Sequence, residues 1–230
     1  MSTYARPLHL TTAVVATAAL VLQLVLVVNG EAVLDETNAP PTATAVGRYL
    51  SYFTIQSNLL VAIGAWTLAA APARDGSRWR VLRLAGLTGI TVTALVHAVL
   101  LRPLLDLEGA SWLADTLLHV AVPLLAVLSW LFVGPRPRTD LRSGALAMVW
   151  PVAWLVWTLV VGAVSGWYPY PFLDVAEEGA LSVALTSLVI TVLIVGVMAL
   201  IGWLDRRLAA RATPSGGSPG PRATAAGPRG

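Results

Sequence analysis

The chain has 230 residues, of which 57% are hydrophobic and 12% are charged, and its mean hydropathy is +0.74. This composition excludes a water-soluble domain of that size and indicates an integral membrane protein. Because cysteine is absent, a disulfide, a thiolate nucleophile and a cysteine metal ligand are excluded as well.

Six apolar stretches run through the chain, and each is long enough to cross a bilayer core about 30 Å thick as a helix. They cover residues 8–29, 50–71, 81–101, 112–133, 143–164 and 181–203. Since such helices must pack on one another, the pattern predicts an all-α, polytopic protein with one six-helix transmembrane domain over residues 1–208. Residues 209–230 are too poor in apolar side chains to fold and are predicted to form a disordered cytoplasmic tail.

Arginine supplies all fifteen basic residues and clusters on alternate loops, which are therefore predicted to be cytoplasmic. The arginines on these loops and termini are Arg6, Arg74, Arg78, Arg80, Arg83, Arg136, Arg138, Arg142, Arg206, Arg207, Arg211, Arg222 and Arg229. Both termini are predicted to face the cytoplasm, and no nucleic-acid partner is expected because these charges orient the helices. Arginine without lysine indicates a coding sequence of high GC content, so a bacterial plasma (inner) membrane is the expected location.

Strongly polar side chains inside the spans concentrate at the depth of the outer leaflet. Counted inward at about 1.5 Å per residue, they lie within roughly 10 Å of the predicted outer surface. They are Gln23, Thr54, Gln56, Ser57, Asn58, His97 and His119. Polar groups in hydrocarbon are costly and commonly line a site or a wet cavity, so this layer is the predicted functional site. The alternative is that the amides and hydroxyls only bond the helices together.

Helical spacing predicts that Asp115 and His119 lie next to each other. The two residues are four apart, so they share a helix face and the carboxylate can orient the imidazole. An oriented imidazole is a suitable base for a hydroxyl nucleophile, and Thr54 is the candidate hydroxyl. This pairing requires contact between the second and fourth spans. The alternative role for Asp115 is a favourable interaction with the helix dipole in the first turn of its span.

Pro123 lies four residues after His119, within the fourth span. A proline there lacks the N–H that would bond the His119 carbonyl. We therefore expect a bend beneath the histidine and one free backbone acceptor, although membrane helices also carry proline without such a role.

The outer loop between the fifth and sixth spans is rich in aromatic residues. Two X-Pro steps, at Pro169 and Pro171, favour an extended turn. The aromatic side chains are predicted to lie at headgroup level, either as an interfacial belt or as a substrate entrance. They are Trp167, Tyr168, Tyr170 and Phe172.

Three segments together resemble bacterial six-helix relatives of the androgen-induced and androgen-dependent membrane proteins. They are residues 48–60 (RYLSYFTIQSNLL), the segment from Trp112 through His119 to Pro123, and residues 167–173 (WYPYPFL). The resemblance covers most of the six-helix core but not the tail. The animal members are threonine hydrolases that cleave fatty acid esters of hydroxy fatty acids with one intramembrane Thr and one His. The resemblance therefore implies Thr54 as the nucleophile, with Ser51 as the alternative alignment, and His119 as the base.

The leading hypothesis is a membrane-embedded hydrolase of lipid esters that needs no cofactor or metal. Thr54 attacks the ester carbonyl, and His119 acts first as base and then as acid. Asn58, Gln23 or Ser57 would donate hydrogen bonds to the oxyanion. The expected partner is a membrane lipid or fatty acid ester that enters from the outer leaflet, and the sequence predicts no particular oligomeric state.

Two other functional classes stay open. His97 and His119 lie at similar depth on adjacent antiparallel spans, and such a pair can ligate a haem, or hold a metal together with Asp115. Two histidines are a minimal signal for a redox protein, no CxxCH motif accompanies them, and His97 ranks below His119 as a catalytic candidate. The remaining class is a noncatalytic transporter or scaffold.

Overall fold

The computed structural model describes residues 4–31, 40–135 and 140–212. Regular structure in these ranges is entirely helical, which confirms the predicted fold class. The α-helices are α1 (Ala5–Val28), α2 (Thr42–Ser51), α3 (Phe53–Ala70), α4 (Ser77–Val96), α5 (Gly109–Thr116), α6 (Val122–Phe132), α7 (Leu141–Ser165), α8 (Val175–Glu178) and α9 (Ala180–Ala212). A π-helical turn at His97–Leu101 extends α4, and a second at Leu117–Ala121 joins α5 to α6. Short 3-10 turns occupy Arg102–Leu104 and Pro171–Leu173.

Six helical segments are long and apolar enough to cross a membrane, as the hydropathy pattern predicts. They are Ala5–Val28, Phe53–Ala70, Ser77–Leu104, Gly109–Phe132, Leu141–Ser165 and Ala180–Ala210. The chain is therefore a multi-pass integral membrane protein. The cytoplasmic orientation of the termini rests on the arginines alone and stays a prediction.

The second predicted span, residues 50–71, is interrupted at Tyr52. This residue has an extended backbone (φ −67°, ψ 130°), so α2 ends at Ser51 and α3 begins at Phe53. No glycine or proline marks the break in the sequence, and uniform hydropathy therefore predicts one continuous helix there. The interruption places Thr54 in the first turn of α3.

The last helix, α9, runs to Ala212, so residues 209–212 of the predicted tail are helical. Residues 213–230 lie outside the described ranges, and their disorder stays a prediction. Arg136 and Arg138, which contribute to the orientation argument, lie outside these ranges as well.

Helix α4 is central in the bundle, where it packs against α3, α6, α7 and α9. Small residues let the helix backbones approach closely. A Cβ on Gly89 of α4 would come within 2.8 Å of the Trp150 ring of α7 and 3.0 Å of the Ser57 hydroxyl of α3. Only glycine therefore fits where these three helices meet. On α1, which packs along α3, the fully buried alanines are Ala13, Ala16 and Ala19.

The connection between α7 and α8 folds back into the bundle. Gly166 ends α7 with a positive φ of 71°, a conformation that glycine adopts without strain. The ring of Tyr168 then lies against Gly162, where an added Cβ would be 2.0 Å from Tyr168 Cε1. This close approach lets the chain carry Tyr170 inward, where it packs edge-on against Tyr52 and is 6% exposed.

We expect Gly162→Ala to lower the free energy of unfolding by about 1–3 kcal/mol, because the new Cβ overlaps the Tyr168 ring. Gly196→Ala is the matched control, since a Cβ there meets no atom within 4 Å and should leave stability unchanged or slightly raised. Thermal unfolding in detergent, followed by tryptophan fluorescence, measures both variants. Equal midpoints for the two variants would contradict the packing described for Tyr168.

Candidate active site

The candidate active site lies where the first turn of α3 faces the π-helical turn between α5 and α6. The Thr54 hydroxyl oxygen is 3.3 Å from Nε2 of His119. Nδ1 of His119 is 2.9 Å from a carboxylate oxygen of Asp115 and 3.0 Å from the Asp115 carbonyl oxygen. Thr54 and Asp115 are buried, and the His119 side chain is only 12% exposed. The three groups thus form a hydroxyl–imidazole–carboxylate series in the order found in catalytic triads.

Tyr170 joins this series from the connection between α7 and α8. Its hydroxyl oxygen lies 3.3 Å from the Thr54 hydroxyl and also accepts a hydrogen bond of 3.3 Å from the Thr54 backbone N–H. That N–H is free for the contact because the first N–H groups of a helix have no partner within it. The sequence predicts Tyr170 at the substrate entrance, whereas in the structure it contacts the candidate nucleophile directly.

The backbone around His119 departs from α-helical geometry. The N–H of Val122 bonds a carbonyl five residues earlier, and Pro123 has no N–H. The Leu118 carbonyl therefore lacks both of its possible helical donors, and the Asn58 side chain of α3 donates to it at 3.3 Å. The sequence predicts that the proline frees the His119 carbonyl; in the π-helical register the acceptor that faces the proline is that of Leu118.

Asn58 is fully buried and fixes the position of the turn that carries His119. Its amide nitrogen donates to the Leu118 carbonyl and, at 2.9 Å, to the Thr54 carbonyl. Because both N–H groups bond backbone carbonyls, Asn58 presents no donor to an oxyanion in this arrangement. Asn58 connects the π-helical turn that carries His119 to the start of α3 and so supports the contact between Thr54 and His119.

His97 lies against both Asp115 and His119. Its Nε2 is 2.8 Å from the same Asp115 oxygen that faces His119, but this contact does not have the geometry of a regular hydrogen bond. The two imidazole rings stack with centroids 3.7 Å apart and planes 10° apart. His97 begins the π-helical turn after α4 and is 4% exposed. Helical periodicity cannot reveal this contact, since it depends on π-helical turns in two different helices.

A metal or haem site must be compatible with this ring stacking. Ligand atoms of His97, Asp115 and His119 lie within 4.8 Å of one another, close enough to surround one ion. An imidazole nitrogen binds a metal in the plane of its ring, however, so two parallel rings in face-to-face contact cannot both direct a nitrogen at one ion. A haem ligated on both sides by these histidines would have to lie between the rings, which leave no space for it. The arrangement fits a metal only if one ring turns out of the stack.

Two cavities meet at Thr54. The inner cavity lies between α4, α7 and α9, has about 710 Å³ of free space including its mouth, and is lined mostly by apolar side chains. The outer cavity lies between α1, α2 and α5, has about 630 Å³ of free space including its mouth, and its polar wall includes Gln23, Ser111, Asp115 and His119. The residues that line both cavities are Thr54, His97, Leu101 and Tyr170. The candidate nucleophile therefore stands at the boundary between an apolar and a polar space.

Two of the residues predicted in the polar layer form no hydrogen bond with Thr54 among the described residues. Gln23 lines the outer cavity, and Ser57 accepts a hydrogen bond of 3.3 Å from Thr93 and lines neither cavity. Ser51, the alternative nucleophile, donates to the Gly47 carbonyl at 2.9 Å and also lines neither cavity. The structure thus brings Thr54, and not Ser51, to His119.

The four aromatic residues predicted at the entrance divide into two pairs. Tyr170 and Phe172 line the inner cavity and stack on each other with centroids 5.3 Å apart. Trp167 packs edge-on against Tyr52, and Tyr168 packs against Gly162, so neither of them lines the inner or the outer cavity.

No protein family, curated protein or solved structure matches this chain. The resemblance to the androgen-induced membrane proteins therefore rests on the three sequence segments alone. The proposed chemistry of the site therefore rests on its own contacts.

We expect Asn58→Ala to lower the free energy of unfolding by about 1–3 kcal/mol, because it leaves the Leu118 carbonyl without a donor. Thr67→Val is the control: its exposed hydroxyl bonds only the Ile63 carbonyl of its own helix, so the change should stay within about 0.5 kcal/mol. Denaturation in mixed micelles measures both. A loss for Asn58→Ala no larger than that for Thr67→Val would contradict the role given to Asn58.

Proposed function

We propose that this protein hydrolyses lipid esters within the membrane, with Thr54 as the nucleophile and His119 as the general base. The observation that supports this function best is the Thr54–His119–Asp115 series at the junction of an apolar and a polar cavity. A Thr hydroxyl is a weak nucleophile until a base accepts its proton. At 3.3 Å, His119 is close enough to do so through a hydrogen bond that tightens when substrate binds.

The reaction would proceed in two halves. In the first, the Thr54 oxygen bonds to the ester carbonyl carbon while its proton passes to Nε2 of His119. The tetrahedral intermediate then collapses: the bond from carbon to the alcohol oxygen breaks, and His119 gives its proton to the leaving alcohol. In the second half, water attacks the acyl-Thr54 ester with His119 again as base, and the carboxylic acid leaves. The Thr54 hydroxyl is restored, and one water is consumed per ester.

Negative charge on the carbonyl oxygen would be stabilised by Tyr170 and by the start of α3. The Tyr170 hydroxyl, 3.3 Å from the Thr54 oxygen, is placed to donate a hydrogen bond to an oxyanion formed there. Thr54 also lies in the first turn of α3, where the helix dipole favours negative charge. These two features would provide the oxyanion stabilisation that the sequence predicts from Asn58, Gln23 or Ser57.

Asp115 and His97 would act through His119 as positioning residues. The Asp115 carboxylate beside Nδ1 favours the tautomer in which Nε2 is free to accept the Thr54 proton, and it stabilises the imidazolium that forms. His97 contacts the same carboxylate oxygen, and its stacked ring restricts rotation of the His119 ring.

The two cavities suggest how an ester would bind. The apolar inner cavity suits an acyl chain, and the polar outer cavity suits the alcohol portion and the attacking water. The ester carbonyl would then lie at Thr54, where both cavities meet. The family resemblance implies fatty acid esters of hydroxy fatty acids as substrates, and the arginine pattern implies access from the outer leaflet of a bacterial plasma membrane.

Thr54→Ala and His119→Ala should each lower kcat for a long-chain p-nitrophenyl ester by about 10³-fold or more, because each removes a group that takes part in bond formation. Ser51→Ala is the matched control and should retain full activity, since Ser51 lines neither cavity. The assay uses purified protein in lipid nanodiscs, and thermal unfolding checks that each variant is folded. Turnover retained in both Thr54→Ala and His119→Ala would reject the mechanism.

Tyr170→Phe should lower kcat by about 10²–10³-fold with a smaller effect on KM, because the hydroxyl acts on charge that develops in the transition state. Tyr168→Phe is the control, since Tyr168 lines neither cavity. Steady-state kinetics on the same ester separates kcat from KM. Wild-type kcat in Tyr170→Phe would remove Tyr170 from the oxyanion site.

The other classes make different predictions for the same purified protein. A noncatalytic transporter or scaffold would hydrolyse no ester. A metal centre at His97, Asp115 and His119 would give one bound metal ion per chain by elemental analysis, and His97→Ala would remove it.

A further inference from the structure

The inner cavity lies in a cleft between α7 and α9. Both helices pack along α4, but among the described residues they make few contacts with each other. They approach each other at one end of the cleft, where a Cβ on Gly144 of α7 would lie 3.5 Å from Sδ of Met198 on α9. At the other end, the 3-10 turn Pro171–Leu173 packs against α9. The cleft occupies the space between these two contacts, and the inner cavity is lined from both helices.

The exposure of the lining residues indicates where the cleft opens. On the side of α3 and α4 its wall is buried, with Thr54 7%, Val92 2% and His97 4% exposed. Val152 of α7 also lines the cavity, yet it is 51% exposed. Ile190 lines it from α9 and is partly exposed. The opening therefore lies on the outside of the bundle, between Val152 and Ile190.

This opening faces the hydrocarbon core of the bilayer. Leu141–Ser165 and Ala180–Ala210 are both long and apolar enough to cross a membrane, and Val152 lies near the middle of the first of them. At that depth lipid tails and not water surround a helix. An empty cleft would deprive its walls of dispersion contacts, so hydrocarbon chains are its expected occupants.

The opening lies at the level of the candidate nucleophile. Phe53, which directly precedes Thr54, stacks on Trp150 with ring centroids 4.5 Å apart and packs edge-on against Trp154 at 5.0 Å. Val152 lies between these two tryptophans along α7. The start of α3 is therefore held against the same turn of α7 that borders the opening.

We propose that a lipid substrate reaches Thr54 sideways from the bilayer, through the opening between α7 and α9, and that its acyl chain lies in this cleft. The inference rests on the proposed function, because Thr54 sets the position of the ester carbonyl. Water would reach the same atom separately, through the polar outer cavity. Because the cleft opens toward hydrocarbon, the end of a long chain can stay in the bilayer. The substrates are therefore esters of membrane-embedded acyl chains, with no upper limit on chain length set by the cavity.

Photolabelling tests the route without requiring hydrolysis. The probe is a hexadecyl ether lipid in nanodiscs with a diazirine midway along its chain, which cannot be hydrolysed and bonds to neighbouring side chains on illumination. Mass spectrometry should find adducts at Val92, which lines the cleft and is 2% exposed, and at Leu95, which is 44% exposed and lines neither cavity. Val152→Trp and Ile190→Trp, on opposite sides of the opening, should each remove the adduct at Val92 and keep that at Leu95.

Val160→Trp is the matched control for photolabelling. Val160 lies on the same helix as Val152 and is 54% exposed, but it lines neither cavity, so both adducts should persist. An unlabelled Val92 in the unaltered protein, or labelling of Val92 undiminished by Val152→Trp and Ile190→Trp, would overturn the proposal.

Ester hydrolysis separates this inference from the proposed function. In Val152→Trp the ratio of kcat/KM for p-nitrophenyl palmitate to that for the water-soluble acetate should fall about tenfold or more, since a space too small by one methylene already discriminates to that degree. Val160→Trp should keep the ratio. Labelling of Val92 that depends on Val152, without hydrolysis of any ester, would support the lipid route and reject the hydrolase. Hydrolysis with an unchanged ratio in Val152→Trp, or with a sharp limit on chain length in the unaltered protein, would support the hydrolase and overturn the route.

Discussion

A carboxylate inside a bilayer is stable only where donors from the protein replace the water that it has lost. His119 supplies such a donor 2.9 Å from a carboxylate oxygen of Asp115, and His97 places its Nε2 in close polar contact, 2.8 Å from the same oxygen. His97 belongs to the end of α4, whereas Asp115 and His119 belong to the helix formed by α5 and α6. The same contact therefore joins two membrane spans and leaves the far nitrogen of His119 opposite Thr54.

Irregular backbone geometry makes these contacts possible. His97 and His119 each lie on a π-helical turn, and Thr54 lies two residues after the extended residue Tyr52. Such departures expose backbone groups that hydrocarbon cannot satisfy, so other parts of the protein must supply partners. Asn58 does this for the carbonyl of Leu118, and the hydroxyl of Tyr170 does it for the N–H of Thr54. The irregularities and their partners together form the site.

The sequence predicts what depends on local pattern. Hydropathy predicts the six spans, depth predicts the layer that contains Thr54 and His119, and a spacing of four residues predicts the contact from Asp115 to His119. The sequence does not predict the break at Tyr52, because no glycine or proline marks it. In the structure Tyr52 packs edge-on against Trp167 and Tyr170, which are distant in sequence. The inward position of Tyr170 likewise requires the fit of the neighbouring ring against Gly162, which is a contact between elements. The stacking of His97 on His119 depends on how two spans are oriented about their helix axes. The periodicity of apolar residues in the sequence does not determine this orientation.

Activation of the Thr54 oxygen by His119 is the step on which the proposed function depends most, and a fluorophosphonate lipid tests this step directly because it bonds covalently to an activated hydroxyl. The measurement is the site of the adduct, determined by mass spectrometry of peptides from the labelled protein. We predict a single adduct on Thr54 in the unaltered protein and none in His119→Ala. An adduct on another residue, or equal labelling of Thr54 when His119 is replaced, would contradict the account.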